Sequence, residues 1–108
     1  MVRGDDFAPR LPLAAETALF RIAQGALANA ILHARATRIE ISVAALADRV
    51  TLTVADDGAG FDSTRPRHGR ASWGLAIMRE RAQAVGATLR IDSAPACGTR
   101  VVVEIARA

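Results

Sequence analysis

The chain has 108 residues and a mass of 11.4 kDa, the size of one small domain, and its 51% hydrophobic and 23% charged residues suit a globular core and exclude a disordered chain. The formal net charge is only +3 although all 14 basic residues are arginine, so the pI near 10.9 does not make a nucleic-acid partner the expectation. No apolar run approaches the roughly 20 residues of a membrane span, no apolar signal core follows Met1, and one cysteine, Cys97, excludes an internal disulfide and, with no Cys/His cluster beside it, a zinc site.

Residues 1–13 carry Gly4, Pro9 and Pro12 with no sustained period and read as an entry arm or the remnant of a larger chain, ahead of one domain over 14–108. From residue 14 to 34 a helix is predicted: Leu19, Ile22, Ala23, Ala26, Leu27, Ala30 and Ile31 follow the i, i+3, i+4, i+7 spacing. The period then becomes two. Ile39, Ile41 and Val43, then Val50, Leu52 and Val54, alternate with polar residues as two half-buried strands of a hairpin. The polar stretch from Gly60 to Ser72, with Pro66 and Gly69, reads as a loop. A second helix is predicted from an N-cap at Ser72, with Leu75, Met78, Ala82 and Val85 as its stripe and Gly86 at its stop. Two strands at 88–92 and 99–105 close the chain around a turn at 94–98. This order predicts an α+β fold, a two-layer sandwich with one mixed, mostly antiparallel sheet and helices on a single face.

Period two carries Asp56 onto the face of Val50, Leu52 and Val54, one step beyond the apolar run. A carboxylate there needs donors. It is either a turn aspartate bonding its own backbone ahead of Gly58 or an acceptor for a ligand amine. Gly58 and Gly60 would let the backbone approach a ligand. On the first helix Asn29 borders the apolar arc beside Ile22, either an edge residue or an oxygen donor toward a metal or phosphate, while His33 falls within the arc as a packing residue. Arg65, Arg67, His68 and Arg70 form either a solvated loop or a lid whose cations face phosphates. The Gly74 amide near the second helix's start could add an anion site, and Thr99 shares the parity of Val101 and Val103.

Four blocks in this order resemble the ATP-binding catalytic domain of bacterial sensor histidine kinases, in the GHKL ATPase superfamily, over about residues 13–106. They are Phe20-Arg21-Ile22-Ala23-Gln24-Gly25-Ala26-Leu27-Ala28-Asn29-Ala30 with His33-Ala34, Asp56-Asp57-Gly58-Ala59-Gly60-Phe61, Trp73-Gly74-Leu75-Ala76-Ile77-Met78-Arg79-Glu80-Arg81-Ala82, and Gly98-Thr99. The third block and the short lid are similar to the subfamily of nitrate/nitrite sensors paired with helix-turn-helix response regulators. The resemblance implies ATP and Mg²⁺ as ligands. It makes Asp56 the acceptor for the adenine amino group and gives Asn29 the Mg²⁺. Gly58 and Gly60 would pass the nucleotide and hinge the lid, Gly74 and Leu75 would bring amides to the phosphates, and Thr99 would support the adenine. The nucleotide slot at Asp56 is expected to open onto Asn29. The γ-phosphoryl group would go to a histidine on a separate dimerisation domain, with a response regulator reached through the parent protein. That parent would place this domain in the cytoplasm, with or without an inner-membrane anchor, and with no nucleic-acid or direct membrane contact. Two positions depart from the family: Gly25 stands where a Glu is usual, and Leu32 stands where a Lys or Arg is usual. They leave open a catalytically degenerate nucleotide- or partner-binding module, and the superfamily also leaves open an anti-sigma-type serine kinase.

Overall fold

The computed structural model describes residues 2–3, 12–32, 35–60 and 70–106, with the backbone alone at 2–3 and 70–73. A two-residue strand β1 (Val2–Arg3) precedes helix α1 (Leu13–Leu32). Strands β2 (Ile39–Ala45) and β3 (Arg49–Asp56) follow, then helix α2 (Arg70–Ala84), β4 (Thr88–Ser93) and β5 (Thr99–Ala106). The sheet order is β1-β2-β3-β5-β4, with β1 parallel to β2 and every other pair antiparallel.

Pro12 starts α1: its carbonyl accepts the amides of Ala15 (2.9 Å) and Glu16 (3.1 Å), which would otherwise lack partners. Glu16 in the first turn also complements the helix dipole. The face that α1 buries is rich in small residues, Ala15, Ala18, Ala26 and Ala30 around Leu19 and Ile22, and this lets the helix lie close to its neighbours. Helix α2 ends as its glycine requires: the Ala87 amide reaches back to Ala82 (2.8 Å) and that of Gly86 to Gln83 (3.1 Å), the paired bonds of a Schellman stop.

Alternation on the strands separates the two faces of the sheet. Val50, Leu52 and Val54 of β3 and Val101, Val103 and Ile105 of β5 are buried, and they join Ile22 of α1 and Met78 of α2 in one core. Both helices therefore cover the same face. The opposite face carries Arg49, Thr51 and Glu104, linked by a 3.5 Å ion pair and a 3.3 Å hydrogen bond. No polar or charged side chain is buried among the described residues. On the edge strand β4, Arg90 and Asp92 pair with each other at 3.0 Å and both stay exposed.

The architecture is the one expected from the sequence, with two differences. The entry arm contributes β1, too short to show a period. Helix α2 begins at Arg70, so Ser72 is a residue of its first turn and not its N-cap. Arg70 and Ala71 are strong helix formers and carry the helix upstream past the serine.

Candidate functional site

Three strands end side by side at one end of the sheet. The register sets Asp56 of β3 opposite Thr99 of β5, and Thr99 opposite Ser93 of β4. Asp56 and Thr99 have the parity of the buried residues on their strands, Ser93 has that of the partly buried Leu89 and Ile91, and all three are half-buried. They line an open cavity of about 440 Å³ together with Ala94, Cys97 and Gly98 and, from the opposite parity of the same strands, Ala55, Asp92 and Arg100.

The Asp56 carboxylate is held from below: its Oδ1 accepts the Gly58 amide at 2.8 Å. The turn bond considered from the sequence is therefore present, and it uses one oxygen only. Asp56 both shapes the turn and lines the cavity. Beside it, Ser93 donates its hydroxyl hydrogen to the Gly98 carbonyl (3.0 Å) and stands 2.8 Å from the Thr99 hydroxyl.

Two glycines fit the loops together. Gly98 has φ +76°, and a Cβ there would collide with the Asp56 carbonyl oxygen. Gly60 has φ +65°, and a Cβ there would collide with the Ala94 carbonyl oxygen. Both need the left-handed conformation and the missing side chain at once. The loop after β3 thus rests directly on the β4–β5 turn, tied by the Ala96 amide to the Ala59 carbonyl at 2.6 Å. Gly60, expected beside the nucleotide, lies against protein backbone.

Asp57 does work that the sequence did not announce. Its carboxylate accepts the Thr37 amide (2.9 Å), the Thr37 hydroxyl (2.7 Å) and the Arg38 amide (2.9 Å). Its own amide donates to the Arg38 carbonyl at 3.2 Å. The Thr37 hydroxyl and then the Arg38 amide hold the carboxyl below its ordinary pKa. The end of β3 is thereby fastened to the approach to β2. The pair of aspartates was the available signal, and its partners lie too far away in sequence to be guessed.

Asn29 is half-buried on α1 and meets α2 at Gly74. A Cβ at Gly74 would lie 3.2 Å from Asn29 Oδ1 and 3.4 Å from Nδ2, so the glycine leaves room for the amide. One turn earlier Gly25 faces Met78, whose Cγ would be 3.6 Å from a Cβ at that position. Because α2 starts at Arg70, Gly74 is its fifth residue, and Gly74 and Leu75 lie beyond the first four amides, which lack helical partners. Leu75 packs against the core instead. The candidate residues form two patches, one at the strand ends around Asp56 and one where the helices meet at Asn29 and Gly74. His33, Arg65, Arg67 and His68, and the side chain of Arg70, lie outside the described residues.

An Mg²⁺ ion fits the second patch on its donor chemistry. Among the described residues no cluster of three His, Cys, Asp or Glu side chains offers a protein cage. Mg²⁺ commonly takes one or two protein oxygens and completes its shell with waters and phosphates. Asn29 Oδ1 would supply one such oxygen.

A two-layer sandwich with an Asp-x-Gly-x-Gly turn at the sheet end and an asparagine on the covering helix defines an ATPase-type domain. The family described as "Histidine kinase-, DNA gyrase B-, and HSP90-like ATPase" matches residues 14–108, and the chain belongs to it. The chain is 35% identical over 96 residues to the signal transduction histidine-protein kinase/phosphatase DegS of Brevibacillus brevis, covering 89% of this chain and 24% of that protein. It is 37% identical over 95 residues to the sensor protein VraS of Staphylococcus haemolyticus, covering 88% and 27%. The chain spans about a quarter of the length of these relatives. Among solved structures, the histidine kinase domain of the Erythrobacter litoralis EL346 blue-light activated histidine kinase superposes with a TM-score of 0.78 at 24% identity, over 96% of this chain and 52% of that one. The ATP binding domain of PrrB from Mycobacterium tuberculosis gives 0.70 at 26% identity, over 85% and 68%.

Proposed function

We propose that this domain binds Mg-ATP and serves as the catalytic domain of a two-component sensor histidine kinase. The observation that carries this is Asp56: a half-buried carboxylate, fixed through Oδ1 by the Gly58 amide, on the wall of a cavity it shares with Thr99. A carboxylate held this way accepts an amino group and orients a purine edge-on. Asn29, facing Gly74 across the helix pair, is the residue that would hold Mg²⁺. Held there, Mg²⁺ would supply positive charge to offset the charge that develops during phosphoryl transfer. The first-turn amides of α2, ahead of Gly74, are the donors available to the phosphates. The γ-phosphoryl group of ATP would then pass to a histidine nitrogen on a separate dimerisation domain, the N–P bond forming as the bond to the bridging oxygen breaks and ADP leaves, and from there to a response regulator.

The histidine-kinase/phosphatase and sensor names of the relatives support this reading, and it places the domain on the cytoplasmic side of its parent. The named relatives are a DegS and a VraS, so the nitrate/nitrite-sensor reading rests on the third block and short lid alone. No described helix is long and apolar enough to cross a membrane.

Titration calorimetry tests the binding. ATP with Mg²⁺ is expected to bind, and Asp56→Asn, which replaces an acceptor oxygen by a donor amide, is expected to weaken it at least about tenfold. Unchanged binding in that variant removes the assignment of Asp56.

Gly25 favours a second reading, in which nucleotide is held but transfer is slow. Between Glu16 and the end of α1 no carboxylate is present to orient the attacking group. Gly25→Glu, combined with a matching dimerisation domain, is expected to raise phosphohistidine formation. Equal rates with and without the glutamate would show that the position does not limit transfer.

A further inference from the structure

Helix α1 is apolar on two sides. Ala15, Ala18, Leu19, Ile22 and Ala26 are buried in the domain's own core. On the opposite side Leu13, Phe20 and Ile31 are 77%, 63% and 56% exposed, and half-buried Leu27 completes the row. Single exposed apolar residues are ordinary, but a row of four along the whole of one helix marks an interaction surface. Leu13, Phe20 and Leu27 stand seven residues apart and Ile31 follows four later, the spacing of a heptad seam. With Leu13, Phe20 and Leu27 at d, Thr17, Gln24 and Ile31 fall at a. The buried residues then fall at b, c and f, so the seam faces directly away from the core.

Each flank of this seam carries one charge. Glu16 is at g and Arg21 at e, both are exposed, and among the described residues neither pairs with another charged side chain. In a parallel helix pair a g residue faces the e residue five positions later on the partner. Glu16 and Arg21 are five apart, so two copies of α1 side by side make this pair twice, once on each flank. In an antiparallel pair g meets g and e meets e, and these two charges never meet. The charges of the helix thus match the helix itself, in one orientation.

We propose that the outer face of α1 is a docking surface for a second copy of this chain, α1 packing parallel to α1 with Leu13, Phe20, Leu27 and Ile31 in the seam and Glu16 of each copy paired with Arg21 of the other. The inference does not rest on the nucleotide reading. The remaining g and e positions, Ala14, Ala23, Ala28 and Ala30, are small and let the helices approach. Thr17 and Gln24 at a weaken the seam and, facing their own counterparts, hold it in one alignment. A seam of this length is smaller than the interface of a permanent dimer, so the association is reversible. It is also closed: each copy has one such face, and assembly through it stops at two.

Sedimentation equilibrium of the chain as it stands tests this. From about 10 µM to about 1 mM a reversible monomer–dimer equilibrium is expected, with a Kd on the order of 0.1 mM. Phe20→Glu sets a charge into the seam and is expected to leave only monomer, with a thermal melt like the parent's because Phe20 is exposed. Glu16→Arg and Arg21→Glu are each expected to weaken dimerisation about tenfold, since each sets like charges opposite one another on both flanks. An equal mixture of these two variants restores opposite charges on both flanks, and the dimer is expected to recover to the parent's level. That combination of loss and recovery requires each copy to meet a second copy in parallel. A chain that stays monomeric at about 1 mM, as it does if this face serves a different partner, overturns the proposal. So does a dimer that survives Phe20→Glu, which places the contact elsewhere, or one indifferent to both charge reversals, which excludes the parallel pairing. If Phe20→Glu does not fold, Gln24→Glu at the neighbouring a position takes its place with the same two outcomes.

Discussion

Gly98 shows how one residue can tie two ends of the chain together. Its φ is left-handed, and the place of its missing Cβ is taken by the Asp56 carbonyl. Gly98→Ala therefore adds both backbone strain and a clash, and it is expected to destabilise the fold by about 1–3 kcal/mol or more, read by denaturant unfolding. Affinity for ATP is expected to fall with it, because the carbonyl that must move belongs to Asp56, the residue that meets the base under the proposed reading. Asp57 acts through charge. Its pKa is depressed in the folded state by Thr37 and Arg38, so its stabilising contribution is complete above the ordinary carboxylate range and is lost as pH falls through the folded value. Melts taken from about pH 5 down to about pH 2 are expected to show a loss of stability that Asp57→Asn lacks. From the sequence, the parity of Asp56 and Thr99 was readable because period two is local. The Asp57–Thr37 bonds and the Gly98–Asp56 contact were not, because each depends on chain packing between distant segments.

At the scale of an element, α1 carries a helix-weakening residue where packing leaves space. A Cβ at Gly25 would meet Met78 only at 3.6 Å, an ordinary contact, and Gly25 has no positive φ to preserve. Gly25→Ala is thus expected to stabilise the domain by about 0.5–1 kcal/mol, a rise in melting temperature of several degrees. A fall would mean that the helix pair cannot accept the methyl group. Met78 gives the opposite case. It is 1% exposed and touches the core from α2, so Met78→Ala is expected to cost about 2–5 kcal/mol. Apolar spacing located both helices. It did not locate the first residue of α2, since a good capping serine was overridden by the helix-forming residues before it.

On the scale of the whole molecule, the sequence disclosed a layered fold because the switch from a period of 3.6 to a period of two assigns each segment one buried face. The parallel strand β1 escaped it, since two residues have no period. Nor does periodicity relate the strand-end patch to the helix-pair patch, because it orders residues along elements and says little about the space between them. The two patches bind different parts of one ligand under the proposed reading, base at Asp56 and metal-bound phosphates near Asn29. Their contributions are therefore expected to be separable: Asn29→Ala abolishes the Mg²⁺ dependence of nucleotide affinity, whereas Asp56→Asn lowers affinity with and without the metal, both read by calorimetry.

The order of the sheet has a further consequence for solubility. Among the described residues strand β4 pairs with β5 on one side only, which makes its outer margin the place where a strand from another molecule could add to the sheet. The opposed charges of Arg90 and Asp92 keep water on that margin and make such recruitment costly. Neutralising both, as Arg90→Thr with Asp92→Thr, removes the barrier while leaving the hydrophobic core untouched, and light scattering on concentrated samples is expected to show self-association beyond a dimer that the parent protein resists.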